Sequence, residues 1–155
     1  PGSWSQYSVL KVGPKGEVVG VDLKSPDRFS SPRFRFIEAD VLSLDGAWLR
    51  KQVGMRDLVI SDLAPATSGI SVTDTSRSIE LARCALEVAL AVLKTGGHFL
   101  CKVFEGSEVK AFRTELASHF AKVQTHRPSA VRKASREIYL LATSRTSEAG
   151  SSQGP

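Results

Sequence analysis

Two acids and a lysine stand where an α/β chain could use them. Asp62 lies in SDLAP, where Pro65 prevents a helix from starting at once, so its carboxylate is presented from an irregular loop. Lys102 sits inside the apolar run FLCKVF. A lysine in mid-strand must snorkel, pair or work. Glu137 opens the last apolar run, EIYLLAT. If that run is a strand antiparallel to its neighbours, its beginning shares an edge with the carboxyl ends of the strands bearing Asp62 and Lys102. Topology alone can then gather the three, and the alternative is three unrelated surface charges. Two more acids end apolar runs: Asp22 closes EVVGVD and Asp40 follows FRFIEA. An ionised acid at the end of the strand after a glycine turn can accept two hydrogen bonds from a ribose. Pro1-Gly2-Ser3 would be that turn, with a helix N-terminus facing the ligand. On spacing alone, Asp22 and Asp40 fit helix caps or turn formers as well.

Alternating elements must position these residues. A leading helix is predicted at about 3–12. EVVGVDL (17–23) is β-branched and FRFIEADV (34–41) alternates, so both read as strands. A short helix is expected over 44–53 and a buried strand over 56–64. From Thr73 a long helix places Ile79, Ala82, Leu86, Ala89, Leu90 and Leu93 on one 3.6-residue stripe. Thr73 or Asp74 can cap it, and Gly96-Gly97 can end it. HFLCKVF (98–104) reads as a strand. Ser107 can cap a helix whose Val109, Phe112, Leu116 and Phe120 share a face. Strands over 122–127 and 137–143 follow, joined by a basic loop with no helix between them. The expected architecture is α/β: a mostly parallel sheet with helices on both faces and a C-terminal antiparallel hairpin at its edge. One domain should cover 1–145, with a disordered tail over 146–155. In a βαβ chain a strand should precede the leading helix, and none does here.

At 155 residues the chain can bury one core, and 41% of its residues are hydrophobic. No apolar run reaches the roughly 18 residues of a membrane span. No basic region followed by an apolar one opens the chain, so no secretory signal is visible. Cys84 and Cys101 read as two isolated buried thiols at home in a reducing compartment, and the scattered His98, His119 and His126 give no metal-ligand spacing. The net charge is +5 and uneven: 12 Lys/Arg face 11 Asp/Glu in residues 1–101, against 9 and 5 in 102–155. KVQTHRPSAVRKASR (122–136) holds five basic residues and no acid. Such an asymmetry points to a polyanionic partner, the alternative being a solvated basic loop.

The segments PGSWSQ, VVGVD, EADV, VISDLAPATSG, GGHFLCKVFEG and SREIYLLAT, in that order across 1–144, resemble the successive motifs of the FtsJ-type ribose 2′-O-methyltransferases. SDLAP…SG and KVF…SREIY are the specific blocks. Ser3 departs from the second glycine that the family more often has. The resemblance implies a Rossmann-like fold binding S-adenosyl-L-methionine. It places Gly2 and Trp4 on the methionine side, Asp22 on the ribose and Asp40 on the adenine, with Asp62 also beside the cofactor. It further implies a catalytic Lys-Asp-Lys-Glu group, of which Asp62, Lys102 and Glu137 are present. The family's first Lys and first strand have no counterpart here, so the chain is expected to be an N-terminally truncated piece, unstable and inactive alone, with a gap or makeshift pairing between the 17–23 and 57–63 strands. Within the family, SDLAPATSG resembles the ribosomal-RNA uridine branch.

The implied chemistry needs no metal, because a sulfonium methyl is already activated. A ribose 2′-OH must lose its proton during attack. A lysine between two carboxylates normally stays charged, with an ordinary pKa of about 10.4, and a second nearby Lys together with burial would push that of Lys102 down. The implied partner is ribosomal RNA or the large ribosomal subunit, touched by Arg127, Arg132, Lys133 and Arg136 of the basic stretch. A monomer without membrane contact is expected, cytoplasmic, or in the mitochondrial matrix or nucleolus of a eukaryote. Two other readings compete. An inactive relative would bind RNA or S-adenosyl-L-methionine without turnover. A nicotinamide oxidoreductase would want a GxGxxG turn, and none occurs.

Overall fold

A computed structural model describes residues 2–129 and 135–147. The chain divides into two compact units, Pro1–Asp45 and Gly46–Pro155. The expected tail lies outside the described residues from position 148 onward, as do Arg132 and Lys133.

The first unit holds helix α1 (Ser3–Lys11) and strands β1 (Val18–Asp22) and β2 (Phe34–Glu38). The β-branched run and the alternating run pair in parallel, from Val18 opposite Phe34 to Asp22 opposite Glu38. α1 packs on β1 and buries Val9. Gly20 permits the close approach of β2, since a Cβ there would come within 3.0 Å of the Phe34 ring.

The second unit holds α2 (Gly46–Val53), β3 (Arg56–Ser61), α3 (Ser71–Val92), β4 (Leu93–Phe104), α4 (Val109–Ala117), β5 (Phe120–His126) and β6 (Glu137–Arg145). Its sheet runs β3-β4-β6-β5. β3 and β4 are parallel, while β6 is antiparallel to both β4 and β5. The ladders are therefore mixed rather than mostly parallel, because β6 enters between β4 and β5. In the first unit β1 and β2 form a two-stranded sheet of their own.

The apolar stripe of α3 meets β4 as its period requires. Ile79, Ala82, Leu86 and Ala89 are buried with Phe99, Cys101, Val103 and Leu140. Leu93 is buried too, but as the first residue of β4. α4 adds Phe112 and Leu116, and Phe120 completes the core from β5. Arg83 of α3 donates to Glu115 of α4 at 2.9 Å, linking the two helices.

Several expected boundaries differ, and Phe120, expected on the face of α4, opens β5 instead. α3 begins at Ser71, with Ile70 at its cap and no side-chain cap bond, because the Asp74 carboxylate is engaged by Ser68 instead. It ends at Val92, before Gly96-Gly97. The backbone at Leu93 is already extended, and the register between β3 and β4 slips there, with Arg56 opposite Leu93 but Leu58 opposite His98. The two glycines serve that excursion, Gly96 at φ +83°. Glu108, not Ser107, stands at the cap of α4, again without a side-chain bond.

Candidate active site

The edge at which β3 and β4 end is also the edge at which β6 begins. Ser61 lies opposite Cys101, and Phe104 lies opposite Glu137. The next residue after Ser61 is Asp62, released from the sheet by the approach to Pro65. Lys102 falls two residues before Phe104 and so shares its face of the strand. The three side chains meet there: Lys102 Nζ is 2.9 Å from Asp62 Oδ1 and 3.7 Å from Glu137 Oε1. The lysine side chain is only 11% exposed, whereas those of Asp62 and Glu137 are 43% and 37% exposed. The ammonium is thus the inner member of the cluster and the carboxylates are its rim.

Burial pulls the pKa of Lys102 down, but the hydrogen bond and charge of Asp62 and the charges of Glu137 and Tyr139 outweigh it. The net is a pKa above lysine's ordinary value. This departs from the expected lowering, which needed a second lysine nearby. Here two carboxylates set the balance, and Lys102 is an ammonium at neutral pH. Tyr139 escaped the sequence reading. It lies opposite Lys102 and two residues after Glu137, hence on the same face of β6. Burial foremost raises its pKa, with Asp62 and Glu137 adding to the rise and Lys102 opposing it. The period-2 pattern of EIYLLAT held that signal.

In the first unit, an open hollow is lined by Gly2, Ser5, Gly20, Asp22, Lys24 and Phe36, among others. Gly2 stands at the N-cap of α1 with φ +87°, and a Cβ there would fall 2.8 Å from Cβ of Pro26. Asp22 ends β1 exposed, one carboxylate oxygen accepting from Leu23 N–H at 2.6 Å. A helix N-terminus opened by glycine and an exposed carboxylate at a strand end, around one hollow, fit a nucleoside-bearing ligand such as S-adenosyl-L-methionine. Trp4 is half-buried in α1. The Asp40 carboxylate caps the short 3-10 turn Val41–Ser43 by accepting from Leu42 N–H at 2.9 Å.

The two described basic candidates have intramolecular partners. Arg127 donates to Glu105 at 2.6 Å, and that hydrogen bond and charge lower the Glu105 pKa. Arg136 donates to the backbone oxygen of Ser71 at 3.3 Å and to the Ser71 hydroxyl. Its guanidinium lies 5.9 Å from the centre of the Phe104 ring.

An α/β chain with an acid–lysine–acid cluster at the carboxyl edge of its parallel strands carries the features that the resemblance to a methyltransferase implied. The chain belongs to the FtsJ-like methyltransferase family, whose match spans residues 1–145. It is 44% identical over 148 residues to the ribosomal RNA large subunit methyltransferase E of Bdellovibrio bacteriovorus, covering 94% of this chain and 75% of that one. The protein of the same name from Desulfatibacillum aliphaticivorans is 40% identical over 145 residues, covering 94% and 70%. Among solved structures, a ribosomal RNA methyltransferase from Plasmodium falciparum superposes with a TM-score of 0.80 at 26% identity, over 94% of this chain and 81% of that one. Human methyltransferase-like protein 13, solved in complex with SAH, shares the fold with a TM-score of 0.65 at 15% identity, over 95% and 69%.

Proposed function

We propose that this chain methylates a ribose 2′-hydroxyl, that of a uridine, in the ribosomal RNA of the large subunit, using S-adenosyl-L-methionine. The observation that carries the reading is the Lys102 ammonium held between Asp62 and Glu137 at the carboxyl edge of β3 and β4. Gly2 and Trp4 would hold the methionine part of the cofactor, Asp22 its ribose and Asp40 its adenine. When bound, the cofactor supplies a methyl group already activated by its sulfonium. Lys102 cannot take a proton while it is charged. Its N–H donors can instead hold the 2′-oxygen and fix its line of attack, and alignment of that kind is a large part of a transfer rate. As the oxygen–carbon bond forms and the carbon–sulfur bond breaks, the hydroxyl proton becomes strongly acidic. A half-exposed carboxylate, Asp62 or Glu137, then suffices to accept it.

A single methyltransferase domain over 1–145, acting as a cytoplasmic monomer with RNA as partner, completes the proposal. Arg127, Arg132, Lys133 and Arg136 are its proposed RNA contacts. No described helix is long and apolar enough to cross a membrane. The test is transfer of a labelled methyl group from S-adenosyl-L-methionine to large-subunit RNA, with the product nucleoside identified by mass spectrometry. A 2′-O-methyluridine is expected. A base-methylated product, or cofactor binding without transfer, would overturn the reading, the second outcome in favour of an inactive binding relative.

A further inference from the structure

The three residues of the transfer cluster sit on three segments that are distant in sequence, and each segment is tied to the first two turns of α3. The loop that follows Asp62 is held by Asp74, which is 3% exposed. One carboxylate oxygen of Asp74 accepts both the N–H and the hydroxyl of Ser68, at 2.8 and 2.7 Å. The end of β4, two residues past Lys102, is held by Ser78. The β3 ladder stops at Cys101, and the Ser78 hydroxyl accepts the Phe104 N–H at 2.9 Å while donating to the Thr75 carbonyl at 2.9 Å. The start of β6 is held through Arg136, immediately before Glu137. Its guanidinium spans the Ser71 hydroxyl, the Ser71 carbonyl and, at 3.5 Å, the Thr75 hydroxyl. Its carbonyl accepts the Glu105 N–H at 2.7 Å, one rung beyond the β4/β6 ladder. Glycine at 106 keeps the chain close at this point, since a Cβ there would meet Thr75 at 2.4 Å.

We infer that the first two turns of α3 set the spacing of Asp62, Lys102 and Glu137, with Asp74 and Arg136 as positioning residues acting through Asp62 and Glu137 respectively. Helix rigidity is the physical reason. Residues 71, 74, 75 and 78 lie on one face at i, i+3, i+4 and i+7, so three tethers share one stiff frame. The inference rests on the reading of Asp62, Lys102 and Glu137 as the transfer site, and its test can fail independently of that reading.

The test follows the Lys102 side-chain titration by NMR in the chain, alongside methyl transfer to large-subunit RNA. The groups facing that ammonium are Asp62, Glu137 and Tyr139. Arg136→Ala should move the Lys102 midpoint to lower pH, as Glu137→Gln does, and should move it no further when made on top of Glu137→Gln. Asp74→Ala should behave in the same way toward Asp62→Asn. Arg136→Lys should not restore the midpoint, because an ammonium cannot span the same acceptors. If Arg136→Ala does not fold, Ser71→Ala, which deletes one exposed acceptor, takes its place. A Lys102 midpoint unmoved in folded variants overturns the inference even if methyl transfer is observed. Shifted midpoints without any methyl transfer by the unsubstituted chain sustain the positioning role and remove the transfer reading.

Discussion

Lys102 is the residue on which the chemistry turns, and its environment decides what it can do. An ammonium this far inside the protein is stable only because two carboxylates repay the loss of water. Replacing it with alanine leaves Asp62 and Glu137 facing each other without a cation. Lys102→Ala is expected to lower methyl transfer by about 10²-fold or more, while binding of S-adenosylhomocysteine, measured by calorimetry, persists. Near-normal turnover would remove Lys102 from the reaction. Asp74 makes a pH-dependent statement of its own. The Ser68 N–H and hydroxyl lower its pKa against the opposing effect of burial, and the Gly69 N–H and the Arg136 charge lower it further. A carboxyl lowered on folding adds stability above its ordinary value of 3.8 and loses that contribution as pH falls through the folded value. The melting temperature of the chain should therefore exceed that of Asp74→Asn at neutral pH, and the gap should close below about pH 3.8. A gap that stays constant into acid would show that Asp74 acts by shape alone.

Elements carry the next set of constraints. α1 opens on a glycine in the left-handed region, where any side chain is strained by about 1–2 kcal/mol and would also meet Pro26. Gly2→Ala should therefore destabilise the Pro1–Asp45 unit by at least about 1 kcal/mol. If the hollow beside it is the cofactor site, the same change should weaken S-adenosylhomocysteine. Asp22→Ala should weaken that ligand by about 1–3 kcal/mol without altering stability, as for the loss of a charged hydrogen-bond partner. Unchanged affinity in a folded Asp22→Ala chain would assign Asp22 to the turn it already serves through Leu23. α3 illustrates how propensity and packing divide the work. Its stripe is plain in the sequence, but both its ends were misplaced by cap signals. Asp74 and Gly96-Gly97 look like a cap and a stop, yet one is engaged by a loop and the other serves a strand irregularity.

At the scale of the whole molecule, charge is the property that matters for a polyanionic partner. Arg127 is compensated by Glu105, and Arg136 is bonded to α3. Arg132 and Lys133 lie outside the described residues, and charge reversal at these two should weaken RNA binding. The slope of log affinity against log salt should fall by about one for each phosphate no longer neutralised. An identical slope would mean that these charges do not meet phosphate. The Arg127→Ala change should cost less, since Glu105 already offsets the Arg127 charge.

The strands, the helices and the gathering of Asp62, Lys102 and Glu137 were legible in the sequence by itself. Apolar period distinguishes strand from helix, and two strands with no helix between them must return antiparallel, which brings Glu137 to the edge where β3 and β4 end. The family was legible for a related reason: SDLAP, KVF and SREIY are short local patterns that survive without knowledge of the fold. Only the tertiary structure decided the sign of the Lys102 shift, because that sign is a contest between burial and two charges whose distances no spacing supplies. It alone tied Asp74, Ser78 and Arg136 to three different segments. Such bonds join residues up to 65 positions apart, and a side chain's partner at that separation is chosen by packing and not by its neighbours in the chain.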